Sequence, residues 1–359
     1  MDTERVAGDR ASAAVALLAT AWVAVITVLD LLLPTSVVPD TLLALAPLIA
    51  CSVLPPRVTA GFGLAAILLV VWSGGWNQNW NTVQQWIRLL DVVAVSTAAV
   101  LVAIVRVHRE EHLMRLAAIA ETAQRAILPT VPATLDGVHT ASRYLSAAQD
   151  AVVGGDLYDC SMSAGYARFI VGDVRGKGLA AVEHAARVIR AFRQAAAAKI
   201  TLAEAASCMN GNLTPYLGEE EFVTALLLDL TSRDTITVAS CGHPPAILVR
   251  SDGNATYLET PAGLPLGVGS ATEQRSYPWA PGDRLLLYTD GLSEARDAQG
   301  EFLSLLDLGP ILANGDVDEA LDSLLARVRA HVARGALGDD LAVLLLENAG
   351  VREPAGTAS

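Results

Sequence analysis

Apolar positions follow two different patterns along this 359-residue chain. Up to about residue 105 they form long, nearly unbroken runs. Ala11–Leu33 is interrupted only by Asp30, and Val37–Leu54 by Asp40 and Pro47. Val58–Trp76 and Ile87–Val105 follow. A helix needs roughly 20 residues to cross the hydrocarbon core of a bilayer. The runs therefore predict an all-α transmembrane region over residues 1–105, with four helices at about 11–33, 37–54, 58–76 and 87–105. The middle two are short enough to form a tight hairpin around Pro55-Pro56-Arg57. Buried core helices would share this composition. Four such runs in succession, with no soluble domain between them, favour the membrane.

The period then changes. Leu113, Leu116, Ala120, Ala123 and Ile127 recur at spacings of three and four, which predicts an amphipathic connector helix over 106–132 that Pro129 and Pro132 end. No Gly or Pro separates it from the fourth run. Such a helix either carries a rotation or a dimer contact, or serves as a passive spacer. From about 133 the pattern becomes short apolar stretches between glycine-rich turns. Tyr166–Asp173, Phe222–Leu230, Thr235–Cys241, Ala246–Arg250, Arg284–Thr289 and Leu341–Glu347 read as strands, and Ala180–Ala198, Leu202–Leu217 and Val317–Ala333 as helices. Grouped strands and separate helices indicate an α+β domain over 133–348. Residues 349–359 read as a flexible tail.

Charge sharpens this division. The chain carries a net charge of −13, of which only −2 lies in residues 1–105. An acidic soluble domain argues against nucleic-acid binding. Arg5 and Arg10 precede the first run, Arg57 lies between the second and third, and Arg106 and Arg109 follow the fourth. The alternate loops, Pro34–Asp40 and Ser73–Trp86, hold no Lys or Arg. This asymmetry predicts a multi-pass membrane protein with both termini and the C-terminal domain in the cytoplasm. Trp72, Trp76, Trp80 and Trp86 gather at the second outer loop, as interfacial anchors do. Asp30 and Asp91 are acidic groups within or near the spans, and either one marks function or lies at the headgroups. The four cysteines form no CxxC pair, so zinc and dithiol chemistry are not indicated.

Candidate chemistry comes from carboxylates at strand ends. Asp156 and Asp159 lie in GGDLYD, and Asp173 ends one strand before VRGKG. Asp290 ends another before Gly291, and Asp339 and Asp340 precede the last strand. Each alone reads as a turn residue. Together, without His or Cys partners, they suit a hard divalent cation.

The motifs GGDLYD, GDVRGKG, FVTALLLDL, SCGHPPAILV, GDRLLLYTDGLSEAR and GDDLAVLLL occur in the order of the metal-dependent (PPM, type 2C) serine/threonine phosphatases. The chain most resembles their SpoIIE-like branch, over roughly residues 125–348, with QRAILPTVP similar to that branch's lead-in. The resemblance implies a four-layer αββα sandwich, two Mn²⁺ or Mg²⁺ ions, and direct hydrolysis of phosphoserine or phosphothreonine by water activated between them. Carried over, Asp173 would bridge the ions, with the Val174 carbonyl and Asp156 on one of them. Asp290 and Asp339 would complete the other site. Asp340 is the neighbouring alternative and Asp159 a more distant support. Arg175 and Lys177 are the local candidates for phosphate, or plain turn residues.

Two departures stand out. Val152 occupies the place of a phosphate-binding Arg, and Arg175 that of a proposed general-acid His. His243 in CGHPP is more simply a structural residue. The implied substrate is a phosphorylated STAS-type anti-sigma-factor antagonist, in a pathway that controls sigma factors. A homodimer through the connector helix is a further expectation. The alternative is a catalytically silent membrane receptor or scaffold that uses a phosphatase-like domain to bind partners.

Overall fold

The structure is a computed structural model. It describes residues 2–350 except 34–38, 79, 136, 147–153, 164–165, 231, 233, 270 and 333–336. The expected tail beyond residue 350 lies outside the described residues. The chain divides into two units, Met1–Met114 and Arg115–Ser359.

The first unit contains α1 (Asp2–Leu32), a 3₁₀ turn (Asp40–Ala44) leading into α2 (Leu45–Cys51), α3 (Pro56–Trp76) and the start of α4 (Val83–Ile127). The fourth apolar run and the amphipathic stretch thus form one 45-residue helix. Three helices, α1, α3 and α4, are long and apolar enough to cross a membrane. The second expected span differs. Its described helical part is Asp40–Cys51, about 20 Å of axial rise against a core of ~30 Å. The Pro55-Pro56 pair stops it, with Pro56 opening α3.

Its two ends are nevertheless tied to distant points on α4. Asp40 lies 3.8 Å from the Arg88 Nε, and the Leu54 carbonyl accepts a 2.9 Å hydrogen bond from Arg106 Nη2. The segment Asp40–Leu54 therefore runs beside the Arg88–Arg106 stretch, about 27 Å of helix.

Packing in this unit is the reverse of a soluble bundle. Ala19, Ala46, Ala50, Ala66, Ala99 and Ala103 are fully buried, while Leu17, Leu32, Leu64, Leu68, Leu90 and Leu101 point outward. Small residues let helices approach closely, and outward-facing large apolar ones suit lipid surroundings, the pattern of membrane bundles.

The second unit holds two antiparallel sheets. Sheet A has the order β1 (Thr134–Leu135), β2 (Val138–Leu145), β11 (Leu341–Asn348), β10 (Arg284–Tyr288), β7 (Ile247–Val249), β8 (Ala255–Tyr257). Sheet B has the order β3 (Leu157–Ser163), β4 (Tyr166–Val174), β5 (Val223–Asp229), β6 (Thr235–Cys241), β9 (Gln274–Pro278). Phe169, Val171, Leu226 and Leu228 of sheet B meet Leu285, Leu287, Leu344 and Leu346 of sheet A in a common core.

The opposite faces are covered as well. Ile170, Ala225 and Leu227 pack under α5 (Leu179–Ala197) and α6 (Leu202–Leu213). Leu286, Val343 and Leu345 pack under α8 (Gly309–Leu312) and α9 (Val317–His331). The result is the expected αββα sandwich. Central strands buried on both faces read as unbroken apolar runs, which is why they were visible in sequence.

Local chemistry sets the helix ends. Thr201 with Glu204, and Asp316 with Glu319, form capping boxes that start α6 and α9. Helix α6 stops at Leu213 rather than Leu217, because Pro215 forces a 3₁₀ turn over Thr214–Tyr216. Across β4 and β5, buried Arg168 clasps Asp229 through Nε (2.6 Å) and Nη2 (2.7 Å), and Nη2 also reaches the Ile200 carbonyl at 2.6 Å.

Candidate metal centre

Strand β4 carries Asp173 to one end of the sandwich, opposite Thr224 on β5. The loop before β3 folds back on it, so that Val174 N–H donates to the Gly155 carbonyl at 3.2 Å. A Cβ on Gly155 would overlap the Val174 carbonyl oxygen, so only glycine lets Asp156 sit this close to Asp173. From sheet A, β10 ends at Tyr288, Thr289 follows it, and Asp290 opens the one-turn helix α7 (Asp290–Ser293). A Cβ on Gly291 would overlap the Asp340 backbone carbonyl, which brings the start of β11 against the same point.

These loops converge three carboxylates. Asp156, Asp173 and Asp290 each present an oxygen, and the three oxygens lie within 4.8 Å of one another. They line a cleft of about 470 Å³ together with Asp339, Arg175, Lys177, Thr224 and His243. Burial, then the charge of Asp173, raises the Asp156 carboxyl well above the ordinary carboxylate range. Burial, then Asp290 and Asp339, pushes Asp173 up to about 7. Burial and Asp339 raise Asp290 as well. Like charges crowded in a poorly solvated site hold protons or take a cation. A donor set made of carboxylate oxygens is the chemistry of Mg²⁺ or Mn²⁺, so the residues present fit such an ion.

The other residues singled out from sequence have different surroundings. Asp339 lines the cleft, but its Oδ1 lies 3.1 Å from Lys177 Nζ and accepts from Asp340 N–H at 2.9 Å. Asp340 is buried and lines no part of the cleft. Its carboxylate accepts from Tyr144 Oη (2.5 Å), Ser146 Oγ (3.2 Å) and Gly154 N–H (2.7 Å). It therefore fixes the Gly154–Asp156 loop. Asp159 pairs with Arg193 at 2.7 Å and also stands outside the cleft. Arg175 lies over Phe222 and donates to the Glu220 carbonyl at 2.7 Å. Val152 lies outside the described residues.

His243 is spoken for on both nitrogens, at 3.0 Å from Thr224 Oγ1 and 2.9 Å from the Tyr288 carbonyl. Burial depresses it to about 4, so it stands neutral and links the two sheets beneath the site.

Sequence reasoning missed three contributors. Thr289 Oγ1 donates to Asp156 Oδ2 at 2.6 Å and accepts from Ala342 N–H at 2.9 Å. Gln124, near the end of α4, donates to Tyr144 Oη at 2.7 Å and to the Gly154 and Asp156 carbonyls at 3.3 Å each. Both lie inside motifs already noted, LYTDG and QRAILP, whose flanking residues were the available signal. Tyr144 had none.

Two antiparallel sheets between helical layers, with a carboxylate cluster at one end, define a PP2C-type phosphatase domain. The chain belongs to the SpoIIE family, because the sequence model for Stage II sporulation protein E matches residues 163–348. It is similar to the RsbU and RsbW domains of Rv1364c from Mycobacterium tuberculosis, at 31% identity and a TM-score of 0.52, over 61% of this chain and 62% of that one. It thus spans less than two thirds of that relative's length. The SiaA-PP2C domain of Pseudomonas aeruginosa shares the fold at 22% identity and a TM-score of 0.56, over 68% of this chain and 98% of that one. So does the PP2C domain, with a regulatory-domain fragment, of SpoIIE from Bacillus subtilis, at 20% identity and a TM-score of 0.50, over 58% and 63%.

Proposed function

We propose that this chain is a membrane-anchored, metal-dependent protein serine/threonine phosphatase. The observation that carries the reading is the set of three carboxylate oxygens within 4.8 Å, in a cleft whose lining also includes Arg175 and Lys177. Asp156, Asp173, Asp290 and Asp339, with the Val174 carbonyl, would hold two Mn²⁺ or Mg²⁺ ions. Bound there, such ions supply an activated water and neutralise charge on the phosphoryl group.

The protein's own part is positioning. Thr289 holds Asp156 by one hydrogen bond, and Asp340 holds the backbone that carries it. Lys177 and Arg175 bring positive charge to the cleft where a phosphate monoester would enter. His243 has both nitrogens engaged and is not available as a proton donor.

The substrate we infer is a phosphorylated signalling protein of the STAS-type anti-sigma-factor antagonist class, in line with the family and with the RsbU-containing relative. Four crossings with the phosphatase domain in the cytoplasm are the proposed topology. The contacts of Asp40 and Leu54 with the two ends of the Arg88–Arg106 stretch support it. A homodimer would use the exposed Leu113, Leu116 and Ile119 of α4.

The test is hydrolysis of p-nitrophenyl phosphate and of a phosphoserine STAS-domain protein by the full chain in lipid nanodiscs, with Mn²⁺ and with EDTA. Activity should require metal and vanish in Asp173→Asn and Asp290→Asn. Full activity in either variant overturns the assignment.

A further inference from the structure

The membrane unit contains a second polar cluster that the phosphatase reading does not use. At the end of the bundle marked by Asp40 and Arg88, away from Leu54 and Arg106, several polar side chains are buried among apolar helices. Asp40 is fully buried, and Ser73, Gln85, Asp30 and Asn77 are between 2% and 7% exposed. Asn77 Nδ2 spans Asp30 Oδ1 at 3.4 Å and Ser73 Oγ at 3.1 Å, which ties α1 to α3. Gln85 Nε2 donates to the Val70 carbonyl at 3.0 Å, which ties α4 to α3.

Among the described residues, three acceptors in this cluster have no hydrogen-bond partner: both carboxylate oxygens of Asp40 and Oε1 of Gln85. Among the described residues, the Asp40 carboxylate faces the Arg88 guanidinium at 3.8 Å and the backbone amides of Asp40 and Thr41. Gln85 sits one turn before Arg88, on the same face of α4. Its amide lies against Gly74, where a Cβ would fall 2.7 Å from Nε2. Asp30 is near enough to act electrostatically on Asp40. The cluster thus holds two carboxylates and one guanidinium, with a surplus of acceptors over donors.

We propose that Asp30, Asp40, Ser73 and Gln85 form a binding site for a small monovalent cation, Na⁺ or K⁺, within the membrane unit. With both carboxylates ionised and Arg88 charged, the cluster carries one uncompensated negative charge. An unpaired charge buried among apolar helices is strongly unfavourable. One monovalent cation brings the sum to zero, whereas a divalent one leaves it positive. A proton would satisfy a single oxygen. A coordinated ion satisfies the Asp40 oxygens and Gln85 Oε1 together, and hard oxygen ligands are what such an ion takes. A bound ion would join α1, the Asp40 turn, α3 and α4 at one point, and so provide this membrane unit with a ligand to sense.

The experiment is thermal unfolding of the full chain in nanodiscs, with EDTA present, in NaCl, KCl or choline chloride at equal ionic strength and pH. The unfolding midpoint is expected to rise with Na⁺ or K⁺ in a saturable way, and not with choline. Asp40→Asn should lose that shift. In choline its midpoint should equal or exceed that of the unchanged chain, because a neutral amide replaces an unpaired charge. A structural role alone would lower it.

Asp91→Asn, on an exposed position of α4, should keep the shift. Asp30→Asn provides the same reading if Asp40→Asn does not fold. The shift should also persist in Asp173→Asn, which separates this site from the phosphatase centre. Equal midpoints in all three salts, a response to pH with none to Na⁺ or K⁺, or an unchanged shift in the Asp30 and Asp40 variants overturns the proposal.

Discussion

Removing the charge of Asp173 should make the metal-free protein more stable at neutral pH, even as it abolishes activity. In the folded chain its carboxyl is pushed up to about 7 from 3.8, by burial first and by Asp290 and Asp339 next. The folded state therefore binds this proton more tightly than the unfolded chain does. The associated stability is complete below about pH 4 and is lost as pH rises through about 7. At ~1.4 kcal/mol per pH unit, a shift of about three units sets a ceiling of ~4 kcal/mol. Asp173 is partly exposed, and solvent reduces this to about 2–4 kcal/mol. Asp156 and Asp290 shift in the same direction. Exposed Glu204, Glu221 and Asp297 are lowered and act the other way.

The assay is pulse proteolysis across a urea series, which reads loss of the Arg115–Ser359 unit from pH 5 to 8. With EDTA, stability should fall as pH rises. Saturating Mn²⁺ should remove the fall, since the cation takes the place of the protons. Asp173→Asn should flatten the EDTA profile, lie above the unchanged chain at pH 8, and gain less from Mn²⁺. An Asp173→Asn profile with the same slope as the unchanged chain would refute the reasoning, as would metal-free stability that climbs from pH 5 to 8.

Other outcomes follow from single contacts. Thr289→Val removes the donor to Asp156 and the acceptor for Ala342 N–H. It should cost about 1–3 kcal/mol of metal affinity by calorimetric titration, with Thr289→Ser near normal. Asp229→Ala strands buried Arg168 and should cost about 3–5 kcal/mol in urea unfolding, while the activity of the folded fraction stays intact. Gly155→Ala places a methyl against the Val174 carbonyl and should abolish the Mn²⁺-induced rise in unfolding temperature. The His243 ring, depressed to about 4, should show no NMR titration between pH 5 and 8. A midpoint inside that range would contradict its role as a neutral link between sheets.

How much could be read from the chain depended on burial. Strands β5, β10 and β11 are covered on both faces and appear as solid apolar runs such as Leu285–Leu287 and Leu341–Leu346. The edge strand β9 has an exposed pattern over Gln274–Pro278, so no periodicity marks it. Strand β2 mixes His, Thr, Ser and Arg among few apolar residues and was silent for the same reason. The carboxylates of the centre were legible because each stands next to a glycine at or near the end of a strand. The division of labour between Asp339 and Asp340 was not, because both lie in the turn before β11, where no periodicity says which side chain faces the cleft. Only the packing shows that one faces the cleft while the other holds Tyr144 and Gly154. In the first unit the apolar runs mark where α1, α3 and α4 lie but not where these helices begin and end, and the described helical part of the second run is only Asp40–Cys51.

The position of β11 has a consequence for how the protein is made. This last strand lies between β2 and β10, and pairs with both. Asp339 and Asp340 stand at its entrance, and Ala342 braces Thr289. A chain emerging from the ribosome can form its N-terminal helices and pair β3 through β6, yet sheet A stays split until residue 348 is free. The carboxylate-bearing end of the sandwich is therefore assembled last, after the whole of the first unit has been synthesised.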